Sequence, residues 1–377
     1  MSDPSGDVQP RAEYFARNLI GGRWEFPSAP FDYEIRSPLD GAVITAVPLS
    51  SRLDVARAVS AAKSAAGSWA ADPAARHALL TALAAQLSAL SGPLARLQAA
   101  ETGLDLADST AVTGAVNLVC QRLIAANRWQ GDQAAGGKVS GHILSWGLPF
   151  AEVACAVTAH LAAGHTVVIK PSLRGPLSAA AFGQLATKAG FPAGVINIVQ
   201  GTGVDVGTAL IGTAELDFLQ VRAGQRTLSQ AERAAAATGV PASWLRAGGN
   251  IAVAGGDADV ELVATAVTDA LRTHSTGGPL ALPFLCVQTD VAGPITDAIM
   301  AKLEQCRPAP LPAESLRDRA LARIASLNWP ELTCSAAESC PTTPGTGWDG
   351  SCRRQFWRPE QPAISPVPSP SGRCSRC

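Results

Sequence analysis

The chain has 377 residues, of which 47% are hydrophobic and 16% are charged, and its formal net charge is −1. This balance indicates a compact protein with room for two ordinary domains and no general attraction to nucleic acid. The apolar runs are shorter than the roughly 20 residues that a membrane-spanning helix needs. The polar start M-S-D-P-S-G-D lacks the regions of a signal peptide. We therefore expect a cytoplasmic protein that binds neither nucleic acid nor membranes.

Nine cysteines are present, but their spacing matches no zinc module. Four stand singly up to Cys306, and the other five lie between Cys334 and Cys377. We expect unpaired thiols in a reducing compartment and no metal site. The alternative is that the final C-S-R-C binds a metal or oxidises.

The first third of the chain is predicted to hold short strands followed by helices. Residues 1–17 are expected to be disordered, and strands extend to about Val47 with glycine-containing turns between them. Helices are predicted over 52–69, 73–91 and 93–100, with Ser51, Asp72 and Gly92 in cap or turn positions. A longer helix is predicted over 108–128.

The most informative stretch begins at Trp146 and ends at Gly203. It reads W-G-L-P-F, then an apolar run ending L-A-A-G-H, then a strand T-V-V-I-K-P-S at 166–172. A helical run and F-P-A-G lead to a second strand, V-I-N-I-V at 195–199, and to the turn G-T-G-V-D-V-G. Because both strands are nearly all apolar and mostly β-branched, we expect them to be buried on both faces of a parallel sheet.

Later segments continue the same alternation of helix and strand. Strands are predicted over 216–221 and 243–247 with a helix at 228–238 between them, which extends a doubly wound sheet. Beyond residue 251 the pattern predicts a helix at 260–272, a strand at 284–288 and a helix at 294–305.

These segments resemble the aldehyde dehydrogenase superfamily. Its members carry P-W-N-F-P, then A-L-A-A-G-N-T-V-V-L-K-P, then A-G-F-P-x-G-V-x-N-I-V-x-G-x-G over the same spacing. Similar segments are N-L-I-G-G-R-W at 18–24, S-P-L-D-G-A-V-I at 37–44, L-R-A-G-G-N at 245–250 and D-A-D-V-E at 257–261. The resemblance covers residues 18 to about 325. We interpret the chain as a degenerate, C-terminally truncated member of this superfamily.

The resemblance implies an α/β fold with two domains. A Rossmann-like dinucleotide-binding domain, with a doubly wound parallel sheet and N-terminal helices, is expected over 18–250. A partial, incomplete α/β catalytic domain is expected over 251–327. Residues 328–377 are rich in Pro, Ser and Cys, with eight prolines between Pro330 and Pro370, and are expected to be disordered. Whether this tail is a genuine segment or an altered reading frame stays open.

The resemblance also assigns the family's catalytic positions to three residues that cannot perform the chemistry. The nucleophilic cysteine falls on Pro279 or a neighbour, with no cysteine within several residues, the general-base glutamate falls on Arg246 and the oxyanion asparagine falls on Gly147. Proline has neither a thiol nor an N–H, arginine stays protonated, and glycine has no side-chain donor. We therefore predict a pseudoenzyme. The alternatives are an active NAD(P)-dependent aldehyde or semialdehyde oxidoreductase that uses a non-standard nucleophile or a partner subunit, and a non-functional product of a damaged gene.

Other side chains are weaker candidates for a replacement nucleophile or ligand. Cys286 lies in a predicted apolar strand, which favours a buried, inert thiol. Ser275 and Thr276 lie beside His274, but adjacent residues rarely orient for proton transfer. Three further histidines are interpreted as surface or satisfied buried side chains: His142, His160 and His165.

The cofactor positions are better preserved. By resemblance, Lys170 contacts the adenosine ribose and Trp146 lies beside the phosphates. The acidic residue that often grips the ribose hydroxyls is replaced by Leu173, and Arg174 follows it, which favours a 2′-phosphate and hence NADP. The predicted cofactor-binding set is Trp146, Lys170, Pro171, Ser172, Gly203 and Gly224.

We expect NAD or NADP as the cofactor, and a bare scaffold that binds neither is the alternative. A homo-oligomer, or a hetero-oligomer with an aldehyde dehydrogenase-like subunit, is the expected assembly. The sequence does not define the aldehyde or the pathway.

Overall fold

The computed structural model describes residues 17–28, 32–103, 137–147, 149–246, 250–273, 282, 284–305, 317–319, 321–322, 332–334 and 357–359. The predicted helix at 108–128, the nucleophile position at Pro279 and most of the tail at 328–377 lie outside these residues.

A seven-stranded sheet is the centre of the fold. Its order is β2-β1-β7-β6-β5-β8-β9, and the strands from β7 to β9 in this order are mutually parallel. The chain passes outward from β5 to β7 and then returns past β5 to β8 and β9, which is the doubly wound arrangement that the sequence predicts. The strands are β1 (Asn18–Ile20), β2 (Arg23–Glu25), β3 (Asp32–Arg36), β4 (Val43–Pro48), β5 (Lys138–Ile143), β6 (His165–Lys170), β7 (Ile196–Ile198), β8 (Phe218–Ala223), β9 (Ala242–Arg246), β10 (Ile251–Ala254), β11 (Phe284–Val287), β12 (Leu332–Cys334) and β13 (Trp357–Pro359).

Side-chain caps mark the starts of the first two helices. Ser51 and Asp54 form a capping box at the first helix, and the Asp72 carboxylate accepts from Ala75 N at the second. The prediction for Gly92 was wrong, because the third helix begins at Ser91. The helices are α1 (Arg52–Ala71), α2 (Pro73–Ala89), α3 (Ser91–Thr102), α4 (Pro149–Ala162), α5 (Pro176–Lys188), α6 (Thr208–Ile211), α7 (Gln225–Ala235), α8 (Val260–Thr273) and α9 (Thr289–Glu304), and a π-helical turn Gly203–Gly207 precedes α6.

Apolar clusters cover both faces of the sheet. On one face, Val167 and Ile169 of β6 pack with residues of α2, α3, α4 and α5. On the other face, Val168 packs with residues of α1, α6 and α7. All three side chains are buried, so the strand is inaccessible to water on both sides. This confirms the sequence argument for a parallel sheet between two layers of helices.

The sequence patterns do not predict the central strand β5. Its residues K-V-S-G-H-I include serine, glycine and histidine, which are not typical of a buried strand. In the sheet, β5 lies between β6 and β8 and hydrogen-bonds to both. A Cβ at Gly141 would come within 2.7 Å of the Leu216 side chain, so the close packing at this point depends on glycine.

A second unit combines two parallel strands with two helices. Strands β10 and β11 pair in parallel, and Ala254 packs with Ala264, Val267, Ile295 and Ile299. The opposite sides of the two strands are open, so the Cys286 side chain is exposed. The prediction of a buried thiol at Cys286 was therefore wrong.

Two small antiparallel sheets complete the described structure. Strands β3 and β4 pair near the N-terminal hairpin, and β12 and β13 pair within the segment for which we expected no regular structure. Among the described helices, none is by itself long and apolar enough to cross a membrane, and only the bent pair α2 and α3 passes such a test by length and composition.

Candidate functional site

The carboxyl ends of five parallel strands define one edge of the main sheet. The chain reverses its direction of winding between β5 and β8, so the segments that follow these two strands diverge to opposite faces. In open α/β sheets, ligands bind in the crevice at such a switch point. The structure thus has the architecture of a binding site at this edge.

Every described site residue that the sequence predicts lies at this edge. Trp146 and Gly147 follow β5, whereas Lys170, Pro171 and Ser172 end or follow β6. The other three are Gly203 after β7, Gly224 after β8 and Arg246 at the end of β9. Pro279 lies outside the described residues.

Contacts join the segments after β5 and β6. Leu144 N donates to Lys170 O at 3.0 Å, and the Arg174 guanidinium carbon lies 5.9 Å from the centroid of the Trp146 ring. A Cβ at Gly175 would lie only 2.8 Å from the Pro149 side chain. The two connections therefore pack closely, which holds Arg174 over the indole in cation–π geometry.

Lys170 is a buried cation at the centre of the edge. Its side chain is 4% exposed, and Nζ donates to Pro171 O at 2.6 Å. None of the described carboxylates forms an ion pair with it. Burial lowers the pKa of the Lys170 ammonium to about 8. The ammonium has further protons to donate, and a polar ligand in the crevice would satisfy them.

Glycines border open space at two other points of the edge. An added Cβ at Gly203 or Gly224 would meet no atom within 4 Å. Gly224 is also the N-cap of α7, and no side chain caps this helix end. The first N–H groups of α7 are thus available to an anion, as at helix N-termini that bind phosphate.

The catalytic positions assigned by resemblance carry no acid–base group. Arg246 is exposed, and Gly147 is buried. Two residues before Gly147, the Ser145 hydroxyl donates to the Glu152 carboxylate at 2.6 Å, a polar pair that the sequence patterns do not predict. Glu152 is 3% exposed, and its position in an otherwise apolar helix is the signal that could have found it. Among the described residues, no group of three His, Cys, Asp or Glu side chains is arranged to hold a metal ion.

The sheet order and this edge define a doubly wound α/β protein with a Rossmann-like sheet. The sequence model of the aldehyde dehydrogenase family matches residues 26–315. The chain therefore belongs to the aldehyde dehydrogenase family.

Its relatives are consistent with this assignment. The chain is similar to the NADP/NAD-dependent aldehyde dehydrogenase PuuC of Escherichia coli, with 29% identity over 63% of this chain and 51% of the relative. It is 32% identical to a hydroxyisobutyraldehyde dehydrogenase of Mycolicibacterium austroafricanum over 56% of this chain and 45% of the relative. The chain spans about half the length of these curated relatives.

Solved structures share the fold. An aldehyde dehydrogenase of Bartonella henselae superposes with a TM-score of 0.80 at 20% identity, over 90% of this chain and 76% of the other. Betaine aldehyde dehydrogenase of Staphylococcus aureus, in complex with NAD+, gives a TM-score of 0.77 at 22% identity, over 85% and 69% of the two chains.

Proposed function

We propose that this chain binds NADP or NAD at the carboxyl edge of the main sheet and does not oxidise aldehydes by the cysteine thioester mechanism. The proposal rests on the difference between the cofactor-binding positions and the catalytic positions at this edge of the sheet. Lys170 and the N-terminus of α7 offer donors for a dinucleotide, whereas Gly147 has no side-chain donor for an oxyanion and Arg246 cannot act as a base.

The donor set fits a dinucleotide. The buried Lys170 ammonium can donate to ribose hydroxyls, and the uncapped N-terminus of α7 can donate to the pyrophosphate. Gly203 and Gly224 leave open space in which phosphates can approach the backbone. When bound, the nicotinamide of such a cofactor supplies hydride transfer. The cofactor class is that of the family, and the Escherichia coli relative is named for both NADP and NAD.

NADP is the expected preference. A carboxylate at position 173 would repel a 2′-phosphate, but this residue is Leu173. The next residue, Arg174, adds a cation that packs against the Trp146 ring. A guanidinium forms charge-assisted hydrogen bonds with phosphate.

Isothermal titration of the full chain with NADP and NAD tests binding and preference. We expect tighter binding of NADP, and Arg174→Ala should reduce NADP affinity by about tenfold, or ~1.4 kcal/mol, with little change for NAD. Arg96→Ala, an exposed arginine on α3, is the matched control. Absence of binding by both nucleotides would refute the proposed module.

The proposed absence of aldehyde oxidation is tested by a separate assay. The purified chain should produce no aldehyde-dependent NADPH or NADH, and no aldehyde-derived thioester should be detected by mass spectrometry. Cys286 has an exposed thiol that could act as an alternative nucleophile, so Cys286→Ala is assayed in parallel. Turnover in the wild type would overturn the proposed inactivity, and its loss in Cys286→Ala would identify the nucleophile.

We further propose a cytoplasmic protein that associates with a second copy or with an aldehyde dehydrogenase-like subunit. Support comes from the apolar side chains Ile251, Val253 and Phe284, which are each more than half exposed. The free thiol of Cys286 fits a reducing compartment. Sedimentation equilibrium tests self-association, and a monomer at all concentrations would exclude the homo-oligomer.

A further inference from the structure

Two histidine side chains face each other at the end of the sheet opposite to the cofactor edge. His160 lies in the last turn of α4, and His165 is the first residue of β6. Their Nδ1 atoms are 3.4 Å apart and form a hydrogen bond with each other. The buried His142 ring lies beside them, with its centroid 4.8 Å from that of His160. Each of the two facing nitrogens can donate, accept or ligate, depending on its protonation.

The turn between the two histidines is held by hydrogen bonds from two other helices. Gly164, in the turn, has φ +91°, which favours glycine. Two carbonyl groups just before Gly164 accept hydrogen bonds from neighbouring helices. Trp69 Nε1 of α1 donates to Leu161 O at 3.1 Å, and Arg76 Nε of α2 donates to Ala162 O at 3.2 Å. The facing arrangement is thus built into the backbone before any ligand arrives, as a specific site requires.

Metal binding through both Nδ1 atoms requires both imidazoles to be neutral with their protons on Nε2, because a neutral imidazole has one ring nitrogen with a free lone pair.

The spacing of the two nitrogens matches that of two ligands on one metal ion. Two nitrogens bound at about 2.0–2.1 Å in tetrahedral geometry are about 3.3–3.4 Å apart. We propose that His160 and His165 form a two-imidazole binding site for a divalent transition-metal ion, bound through both Nδ1 atoms. Because the described residues provide no group of three ligands, water completes the coordination and the site is open.

This site is separate from the candidate cofactor edge. His165 begins β6 and Lys170 ends it, so about 16 Å of extended strand lies between the two. The family pattern quoted above has asparagine at the position of His165, so the pair is not part of that pattern. The two sites can therefore be tested independently.

Ni²⁺ titration of the untagged, reduced full chain tests the proposal, since imidazole is a favoured ligand of this ion. The wild type should bind one equivalent of Ni²⁺ that is absent from both His160→Gln and His165→Gln, with folding checked by circular dichroism. His77→Gln, which changes an exposed histidine on α2, should retain it. Equal Ni²⁺ stoichiometry in the wild type and both variants would overturn the site, because binding would then reside in the thiols or elsewhere.

A second measurement needs no variant. In the imidazole NMR spectrum of the wild type, substoichiometric Ni²⁺ should broaden the resonances of His160 and His165 before those of His77. Broadening of His77 first, or of none of the three, would contradict the proposal. Neither experiment depends on dinucleotide binding, so the failure of one proposal leaves the other intact.

Discussion

At the scale of single residues, Lys170 shows a conflict between stability and binding. An ammonium group that leaves water loses solvation, and one hydrogen bond to Pro171 O replaces only part of it. The lowered pKa of Lys170, about 8, expresses this cost. A buried charge that destabilises the unliganded chain is consistent with a role in binding, because the ligand supplies the missing hydrogen bonds.

Lys170→Met should stabilise the unliganded chain and weaken NADP binding. Methionine keeps the apolar stem and removes the charge, so we expect the free energy of unfolding to rise by about 1–3 kcal/mol at pH 7. The folded pKa of Lys170 lies below the unfolded value, so the unfolded state binds more protons between about pH 8 and 10.5. The advantage of the variant should therefore shrink as the pH rises through this window.

Urea denaturation at pH 7 and pH 10, with NADP titration at pH 7, measures both effects. Lys188→Met, at the exposed end of α5, is the matched control. A variant that is less stable than the wild type at pH 7 would show that the charge is not costly.

At the scale of elements, one arginine joins the ends of two helices. Arg76, on α2, donates to Trp69 O at 2.8 Å and Ala70 O at 2.9 Å in the last turn of α1. It also donates to Ala162 O at the end of α4. A cation at helix C-termini satisfies carbonyls that have no partner in the helix and interacts favourably with the helix dipole.

Arg76→Met should lower the free energy of unfolding by about 2–4 kcal/mol, because buried carbonyls lose a charged donor while the packing of the stem is kept. Arg96→Met, an exposed arginine on α3, should change it by less than about 0.5 kcal/mol. Chemical denaturation compares the two. Equal effects would show that the capping bonds contribute nothing specific.

A carboxyl group on α3 caps the start of α5. Glu101 is 1% exposed and accepts from Leu177 N and from Ser178 N, the latter at 3.0 Å. The N-cap residue itself, Gly175, has no side chain to do this. Burial raises the pKa of Glu101 to about 7, although the hydrogen bonds from Ser178 and Leu177 act in the opposite direction.

This carboxyl group makes stability depend on pH. Because the folded pKa of Glu101 lies above the unfolded one, the folded state binds more protons between about pH 4.5 and 7, and its contribution to stability falls as the pH rises through that window. Glu101→Gln does not titrate, so its stability relative to the wild type should increase from pH 5 to pH 8. Glu34→Gln, at an exposed glutamate, is the control for the substitution itself. Thermal unfolding across this range would contradict the assignment if all three curves were parallel.

At the scale of the whole molecule, the unit formed by β10, β11, α8 and α9 has one open face. The strand residues alternate, so Leu285 and Val287 pack with the helices while Ile251, Val253 and Phe284 point away. Val253 is 80% exposed and Phe284 is 63% exposed. Neighbouring apolar side chains of this kind bind hydrophobic dyes and promote association.

Val253→Thr should reduce the fluorescence of anilinonaphthalene sulfonate bound to the chain, with a change in unfolding free energy below about 0.5 kcal/mol. Val204→Thr is a close control, because Val204 is 79% exposed but lies in the π-helical turn. Equal dye fluorescence in the two variants would show that the β10–β11 face is not the dye-binding surface.

The parts of the fold that sequence predicts are those with a local signal. Ser51 and Asp72 mark helix starts because a cap needs only its own helix, and the T-V-V-I run marks a buried strand by composition alone. The start of α9 was missed. Pro294 suggested the helix start, but the helix begins at Thr289 and contains this proline.

The residue types at the positions assigned by resemblance can be read directly from the chain: a glycine at 147, an arginine at 246 and a lysine at 170. Knowledge of the folded chain was needed to show that β5 is the central strand, that Cys286 is exposed, that Glu101 caps a helix from another element and that His160 faces His165. The reason is physical. Caps and periodicity depend on neighbours along the chain, whereas burial and charge state depend on residues brought together by folding.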